Sequence, residues 1–381
     1  MKWNWQHSGW PNFTWNVPTL HARERHFVSN AGVSLGARSC LGDDEGEGVL
    51  IEILSGEGAD TSDIEGEHMD RQSLQSSIRR HLGLSADRRS SPAEAGVAEM
   101  MVDFYRNPYR RISHSVLCDW HAMLMSGRRD LSIIGAYRTH EEPMEIVSGP
   151  IGPRRKVHFV APPSSAVPGE MERLIDWIQL TGEEGPHFVP SLARAAVAHL
   201  WFESIHPFED GNGRIGRALS ETILAQSLPS PSITGLSGAI LRHQKAYYAQ
   251  LQAASRGLDA SRWVDWFSTI TLQAQSLTLR KVLLVAEKGR VLRELGNNLN
   301  TRQIKLIDRL YGAEMDGGFK RGLSASNYRA LTGATSATAT RDLAALVESG
   351  VLIRIGELKA TRYYLQTQVD KTGLTAGLPD S

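Results

Sequence analysis

The stretch His206-Pro207-Phe208-Glu209-Asp210-Gly211-Asn212-Gly213-Arg214-Ile215-Gly216-Arg217 lies between two apolar segments of helical period. The first, Leu192 to Ile205, is Ala-rich, with bulky apolar residues at helical spacing. Pro207 ends it, because the residue before a proline is biased out of the α region. Gly211-Asn212-Gly213 reads as a tight turn, and a second helix starts near Asn212 and runs through Ile215, Ala218, Leu219, Ile223 and Leu224. The first turn of a helix leaves N–H groups unpaired and attracts anions. Glycines let the backbone approach a bulky ligand and adopt positive φ. Arg214 and Arg217 lie three apart on one face and can grip a polyphosphate. Asp210 is placed to hold a divalent cation that bridges phosphate oxygens, and His206 is a candidate general base. A structural turn does not require His, Asp, Asn and two Arg together.

The string resembles the signature of the Fic family, H-x-F-x-D/E-G-N-G-R-x-x-R, and matches it at every defined position. The resemblance implies a mainly α fold: a helical core with a β-hairpin flap. It implies transfer of a nucleotide monophosphate, most often AMP from ATP with Mg²⁺, onto a hydroxyl side chain of a target protein. His206 would be the base and Asp210 the metal ligand. Gly211, Asn212, Gly213, Arg214 and Arg217 would bind the phosphates, with Asn212 and the turn amides stabilising charge on the α-phosphate. Phe208 reads as a packing residue that fixes the loop.

The remaining composition bounds the setting. The chain has 381 residues, enough for two or three domains, with 41% hydrophobic and 22% charged residues. Formal net charge is zero, so the whole molecule is not an electrostatic nucleic-acid binder. Two cysteines, Cys40 and Cys118, argue against a disulfide scaffold and suit a reducing compartment. No apolar run is long enough for a membrane span and the N-terminus lacks a secretory h-region, so a cytoplasmic protein without membrane contact is expected.

Residues 1–90 are expected to form an N-terminal extension. Trp3, Trp5, Trp10 and Trp15 fit neither helical nor strand spacing, so they read as anchors for an irregular segment. This opening resembles the extension of one Fic subgroup. Residues 41 to 70 carry eleven Asp or Glu and no Lys or Arg, the usual mark of a solvated surface or loop. Within them, Thr61-Ser62-Asp63-Ile64-Glu65-Gly66 matches the Fic inhibitory pattern S/T-x-x-x-E-G/N through Thr61, Glu65 and Gly66. In the family this glutamate pairs with the second signature arginine, here Arg217, and competes with ATP for its donors.

Residues 91–296 are expected to be the catalytic core. Helices are read over Asp70 to Leu84, Ala93 to Tyr105, Ser115 to Met125, Val167 to Gln179 and Ile240 to Leu251, and another from Arg262 to about Leu295. His114 and His121 are read as structural or surface. Met144 to Val147 and Val157 to Val160, joined by a Gly/Pro-rich turn, read as a hairpin. Gly135 to Thr139 resembles the lead-in to the Fic flap. In the family that flap docks an extended target segment by strand addition, here through Ile146, Val147, Val157, His158 and Phe159. Tyr247 and Tyr248 resemble the tyrosine pair near the adenine pocket, with core packing the alternative. Where some relatives carry an asparagine for the base, this chain has Ser255.

Residues 297–368 give helix, helix-turn-helix and two strands, an order that resembles a winged helix, and 369–381 read as a disordered tail. Ten Lys or Arg face six Asp or Glu between 301 and 365. DNA binding through residues 300–368, led by Ser336, Thr338, Thr340 and Arg341, is therefore open beside a protein-interaction role. Self-modification and a homodimer are open as well. The functional expectation is an AMP transferase restrained by Glu65. The alternatives are removal of AMP by the same site, transfer of another group such as UMP, and a DNA-binding regulator with a nucleotide-sensing core.

Overall fold

The computed structural model describes residues 2–86, 88–148, 155–228, 232–315 and 322–367. In chain order the elements are α1 (Leu20–Ser39), α2 (Asp43–Ile64), α3 (Arg71–His81), α4 (Pro92–Arg106), α5 (His114–Leu124), β1 (Glu145–Ser148), β2 (Lys156–Val160), α6 (Val167–Leu180), α7 (Ser191–Ile205), α8 (Asn212–Gln226), α9 (Leu236–Arg242), α10 (Gln244–Ala254), α11 (Ser261–Leu295), α12 (Thr301–Met315), α13 (Ala325–Thr332), α14 (Ser336–Glu348), β3 (Leu352–Ile355) and β4 (Arg362–Leu365). The mainly α expectation holds: two short antiparallel hairpins are the only sheets among the described residues.

The contacts divide the chain into two units, one of residues 1–31 and 50–275, the other of 32–49 and 276–381. In the first, α7 is the central element, buried at every position except Glu203. Its alanines let α8 and α6 pack closely. The helix is apolar around its whole circumference, as a core helix must be. Asp70 caps α3 by accepting from the Ser73 N–H at 2.7 Å, and Gly83 turns the chain at φ 85°, as the spacing predicts. β1 and β2 pair with Ile146 opposite Phe159 and Val147 opposite Val157. The turn expected between them falls largely on 149–154, outside the described residues.

The tryptophans anchor the N-terminal segment. Trp5 donates its indole N–H to Val160 O at 2.7 Å, Trp10 donates to Glu170 at 2.8 Å, and Trp3 packs edge-on against Phe159 at 5.1 Å. Two expectations change, and residues 20–39, over which no element was read, form α1. The acidic run is not a loop but α2, with Leu54, Glu57, Thr61 and Ser62 buried. Its acids have remote partners: Glu57 accepts from the Ser237 N–H at 3.0 Å, and Glu52 accepts from Gln75 at 3.0 Å and pairs with Arg71. The helix read over Ile240 to Leu251 is two, broken at His243, whose φ of −118° ends α9 before α10 begins.

In the second unit, α12, α13, α14 and the β3–β4 hairpin enclose their own core, which includes Leu306, Tyr328, Leu343 and Leu352. Asp342 ties it together, accepting from Arg302 at 2.9 Å, Asn300 at 2.9 Å and the Tyr328 hydroxyl at 2.8 Å. On α14, Ser336, Thr340 and Arg341 are exposed. Thr338 is half-buried and shares a hydrogen bond with Thr335 at 3.0 Å. The expected tail lies outside the described residues.

The α4–α5 contact rests on Gly96, where a Cβ would sit 1.9 Å from the Met123 carbonyl oxygen. Backbone cannot give way as a side chain can. Gly96→Ala is expected to destabilise the first unit by about 1–3 kcal/mol, read as a lower urea midpoint.

Candidate active site

α7 ends at His206, which caps the helix in the left-handed conformation at φ 50° and ψ 62°. Such a conformation costs a non-glycine residue roughly 1–3 kcal/mol and persists only when its surroundings enforce it. Arg138 supplies the enforcement. Its Nε donates to His206 O at 2.8 Å, its Nη2 to Pro162 O at 2.6 Å and Ile205 O at 3.2 Å, and its Nη1 to Ser164 Oγ at 2.8 Å. Its backbone N–H donates to Pro207 O at 2.9 Å. Burial lowers the guanidinium pKa to about 10, which leaves it charged at neutral pH. Sequence reading passed over Arg138 as a site residue. Its only signal was its place in the Gly135 to Thr139 stretch.

The loop that follows is fixed from within. Asn212 Oδ1 accepts from the Phe208 N–H at 2.9 Å, and its Nδ2 donates to Phe208 O at 2.8 Å. The amide therefore braces the loop through its oxygen and one of its two Nδ2 hydrogens. Asn212 also offers an anion its backbone N–H at the start of α8. Phe208 stacks on His121 at 4.3 Å, confirming a packing role, and His121 Nδ1 accepts from the Gly135 N–H at 2.8 Å. Burial lowers the His121 pKa to about 4. Gly211 has φ 79°, and a Cβ there would lie 2.5 Å from Met125 Cε.

Arg217 is buried on α8. Its Nε donates to Thr61 Oγ1 at 2.7 Å, and its Nη2 to Thr61 O at 2.9 Å and Glu65 Oε1 at 2.7 Å. Nη1 is buried without a hydrogen-bond partner. Burial opposes the charge, and Glu65 keeps the guanidinium ionised. The pairing expected of Thr61 and Glu65 is present in full. Glu65 reaches it only because residue 213 is glycine: a Cβ there would lie 2.2 Å from Glu65 Oε1. Gly66, at φ 80°, turns the chain after α2 and brings Glu67 back to Arg214, 2.5 Å from its Nη1. Sequence reading did not single out Glu67.

His206, Glu203, Glu65 and Gly213 line one cavity of about 630 Å³, with Ile146, Val147, His158 and Phe159 of the hairpin on one wall and Tyr247, Tyr248 and Gln252 of α10 on another. This is the volume of an ordinary small-molecule site. Of the expected flap residues, Val157 stays outside the lining and exposed. Tyr247 is a core residue whose hydroxyl bonds His199 Nε2 at 2.8 Å, while the Tyr248 hydroxyl donates to Ile64 O at 3.0 Å and so latches the end of α2. Ser255 Oγ donates to Gln252 O at 2.9 Å.

The His206 pKa is lowered to about 4, by burial first and then by Arg138. Its imidazole is therefore neutral at pH 7. Nδ1 is sealed from solvent, 3.9 Å from Glu203 Oε2, so the nitrogen left for the cavity is Nε2. Burial and the nearby Glu65 push Glu203 up to about 8 against the pull of Arg217.

Asp210 accepts from the Gly211 N–H at 2.6 Å and from Arg128 Nη1 at 2.7 Å. Its carboxyl is held below the usual range: burial opposes this, and Arg128, the Gly211 amide and Arg214 outweigh it. No group of three His, Cys, Asp or Glu among the described residues could hold a metal alone. A single ionised carboxylate beside an anion-binding helix end nonetheless suits Mg²⁺, which is commonly held by one or two carboxylates plus phosphate oxygens and water.

Comparison with known proteins agrees with this geometry. Residues 111–224 match the family described as Fic/DOC. Over these residues the chain is similar to Fic domains. Residues 3–84 match a second family, described as a domain of unknown function (DUF4172). A probable protein adenylyltransferase of Aquifex aeolicus is 30% identical over 120 residues, which is 30% of this chain and 33% of that protein. The protein adenylyltransferase Fic of Aedes aegypti is 33% identical over 114 residues, 29% of this chain and 21% of that one. The chain thus matches a third or less of these relatives' length. A crystal structure of a Fic family protein from Desulfovibrio desulfuricans G20 shares the fold with TM-score 0.52 at 22% identity, covering 97% of this chain and 99% of that one.

The Arg138 side chain makes four hydrogen bonds that tie the end of α7 and His206 to Pro162 and Ser164, so Arg138→Met, which keeps only the backbone bond to Pro207 O, is expected to cost about 2–4 kcal/mol and to speed amide exchange from His206 to Asn212. Unchanged exchange in that segment would remove Arg138 as its clamp.

Proposed function

We propose that this protein is an adenylyltransferase that moves AMP from ATP onto a Ser, Thr or Tyr hydroxyl of a target protein, restrained by Glu65. The observation that carries the reading is one cavity lined by a neutral buried His206, by Gly213 at the start of α8 and by Glu65, the carboxylate that engages the buried Arg217 behind it. The named relatives support the same activity.

The phosphates lie at the α8 N-terminus, where the first-turn N–H groups face them. Arg214 and Arg217 hold the outer phosphates once Glu67 and Glu65 give way. A target segment adds beside β1–β2 and presents its hydroxyl to the cavity. His206 Nε2 takes the hydroxyl proton as the oxygen bonds to the α-phosphorus. The bond from that phosphorus to the bridging oxygen breaks, and pyrophosphate leaves with the electron pair. Asp210 would hold Mg²⁺, which would supply neutralising charge on the polyphosphate. Positioning and oriented donors do most of the work, since such transfers need little covalent help.

With α-labelled ATP and Mg²⁺, label passes to protein in the intact chain and is lost in His206→Ala; transfer that survives would dismiss His206 as the base. The pH profile is a separate check. A base is active when unprotonated, so kcat/KM for ATP falls only as pH drops through the low His206 pKa of about 4. The rate at pH 5.5 is expected to stay near its neutral value, whereas half-loss near pH 6.5 would mean an ordinary exposed histidine.

A further inference from the structure

Glu67 lies beyond the Thr61–Gly66 inhibitory pattern, and Arg128 belongs to no signature, yet both reach the core of the site. Arg214 is only 2% exposed, with Glu67 Oε2 2.5 Å from its Nη1 and its own Nε buried and unpartnered. Arg128 Nη1 lies 2.7 Å from Asp210 Oδ2 and 3.6 Å from Glu67 Oε1. Asp130 grips the other edge of the same guanidinium, accepting from Nε and Nη2 at 2.7 Å each.

We propose that Glu67 and Arg128 are a second autoinhibitory lock, distinct from Glu65, that occupies the site by charge mimicry. The Glu67 carboxylate stands on Arg214 where a phosphate oxygen belongs. The Arg128 guanidinium stands on Asp210 where the divalent cation belongs. The two stand-ins face each other, as a cation and a polyphosphate would. The inference rests on the reading of the site as one for ATP and a divalent cation.

The chemistry sets how the lock opens. A polyphosphate without a cation can displace Glu67, but it leaves Arg128 on Asp210. A cation without a polyphosphate must expel Arg128 and leaves Glu67 in place. Only the two ligands together replace both charges of the pair, so the lock favours the metal–nucleotide complex over either part. Asp130 gives Arg128 a carboxylate to remain on after it leaves Asp210, which lowers the cost of opening. Glu65 acts on another arginine, so removing it leaves this lock closed.

Isothermal titration of the full chain with a non-hydrolysable ATP analogue and Mg²⁺ tests the proposal. The proteins are Glu65→Gly alone and the same chain with Glu67→Gln or Arg128→Gln added. Glu67→Gln is expected to tighten analogue binding at least about fivefold beyond Glu65→Gly, roughly 1 kcal/mol. Arg128→Gln is expected to lower the half-saturating Mg²⁺ concentration at fixed analogue by a similar factor. Unchanged or weaker binding in Glu67→Gln, with or without a lower melting temperature, would make Glu67 a structural contact and overturn the lock. A higher Mg²⁺ requirement in Arg128→Gln would show that Arg128 assists the ligands, and overturns it too. If Glu65→Gly itself binds no analogue, the reading of the site fails along with the lock; if it binds and the added changes do nothing, only the lock fails.

Discussion

A buried guanidinium has to be paired, and the pairing of Arg217 sets the terms for the rest of the site. Its side chain is 1% exposed, and three of its hydrogen bonds run to Thr61 on α2 and to Glu65 just after it, more than 150 residues earlier in the chain. For those partners to be in reach, the end of α2 must be held against the start of α8. Glu57 meets the start of α9, Tyr248 and Gln244 hold the Ile64 carbonyl, and Gly213 leaves room for the Glu65 carboxylate. The same donors suit a polyphosphate. On this account restraint and nucleotide binding are one competition for Arg217.

α2 and α8 each bury a carboxylate. Glu57 and Glu221 are both buried near the start of α9, where Glu57 accepts from the Ser237 N–H and Glu221 from those of Thr234 and Leu236. Burial first, and then Glu221, push the Glu57 pKa up to about 8. The backbone amides of the loop before α9 serve these acids much as those at the start of α8 would serve phosphates. Both sites depend on orphan N–H groups at a helix start meeting negative charge.

Much of the site was legible because its signal is local. His206 to Arg217 carries a histidine, a turn, a helix start and two arginines within one short string. The Thr61–Glu65 spacing was legible by resemblance, and the structure gives it a partner. What could not be read depended on distant neighbours. The acids of residues 41–70 look solvated until Ser237, Arg214, Arg217 and Arg71 are brought to them from elsewhere in the chain, and only then can the segment be a buried helix. Arg138 looks like any surface arginine until the carbonyls of Pro162, Ile205 and His206 converge on it. Nothing local says that Phe208 meets both ends of the Asn212 amide. The break at His243 has no proline or glycine to announce it. Tyr247 has the right position for a ligand wall, but its hydroxyl is turned to His199 in the core.

The central claim is that Glu65 restrains transfer by holding Arg217. The most direct measurement is the initial rate of α-label transfer from ATP to protein in Glu65→Gly relative to the unaltered chain, with Mg²⁺ and saturating ATP. The account predicts a rise of at least about tenfold, roughly 1.4 kcal/mol released to the transition state. An equal rate, or a lower one, would contradict it.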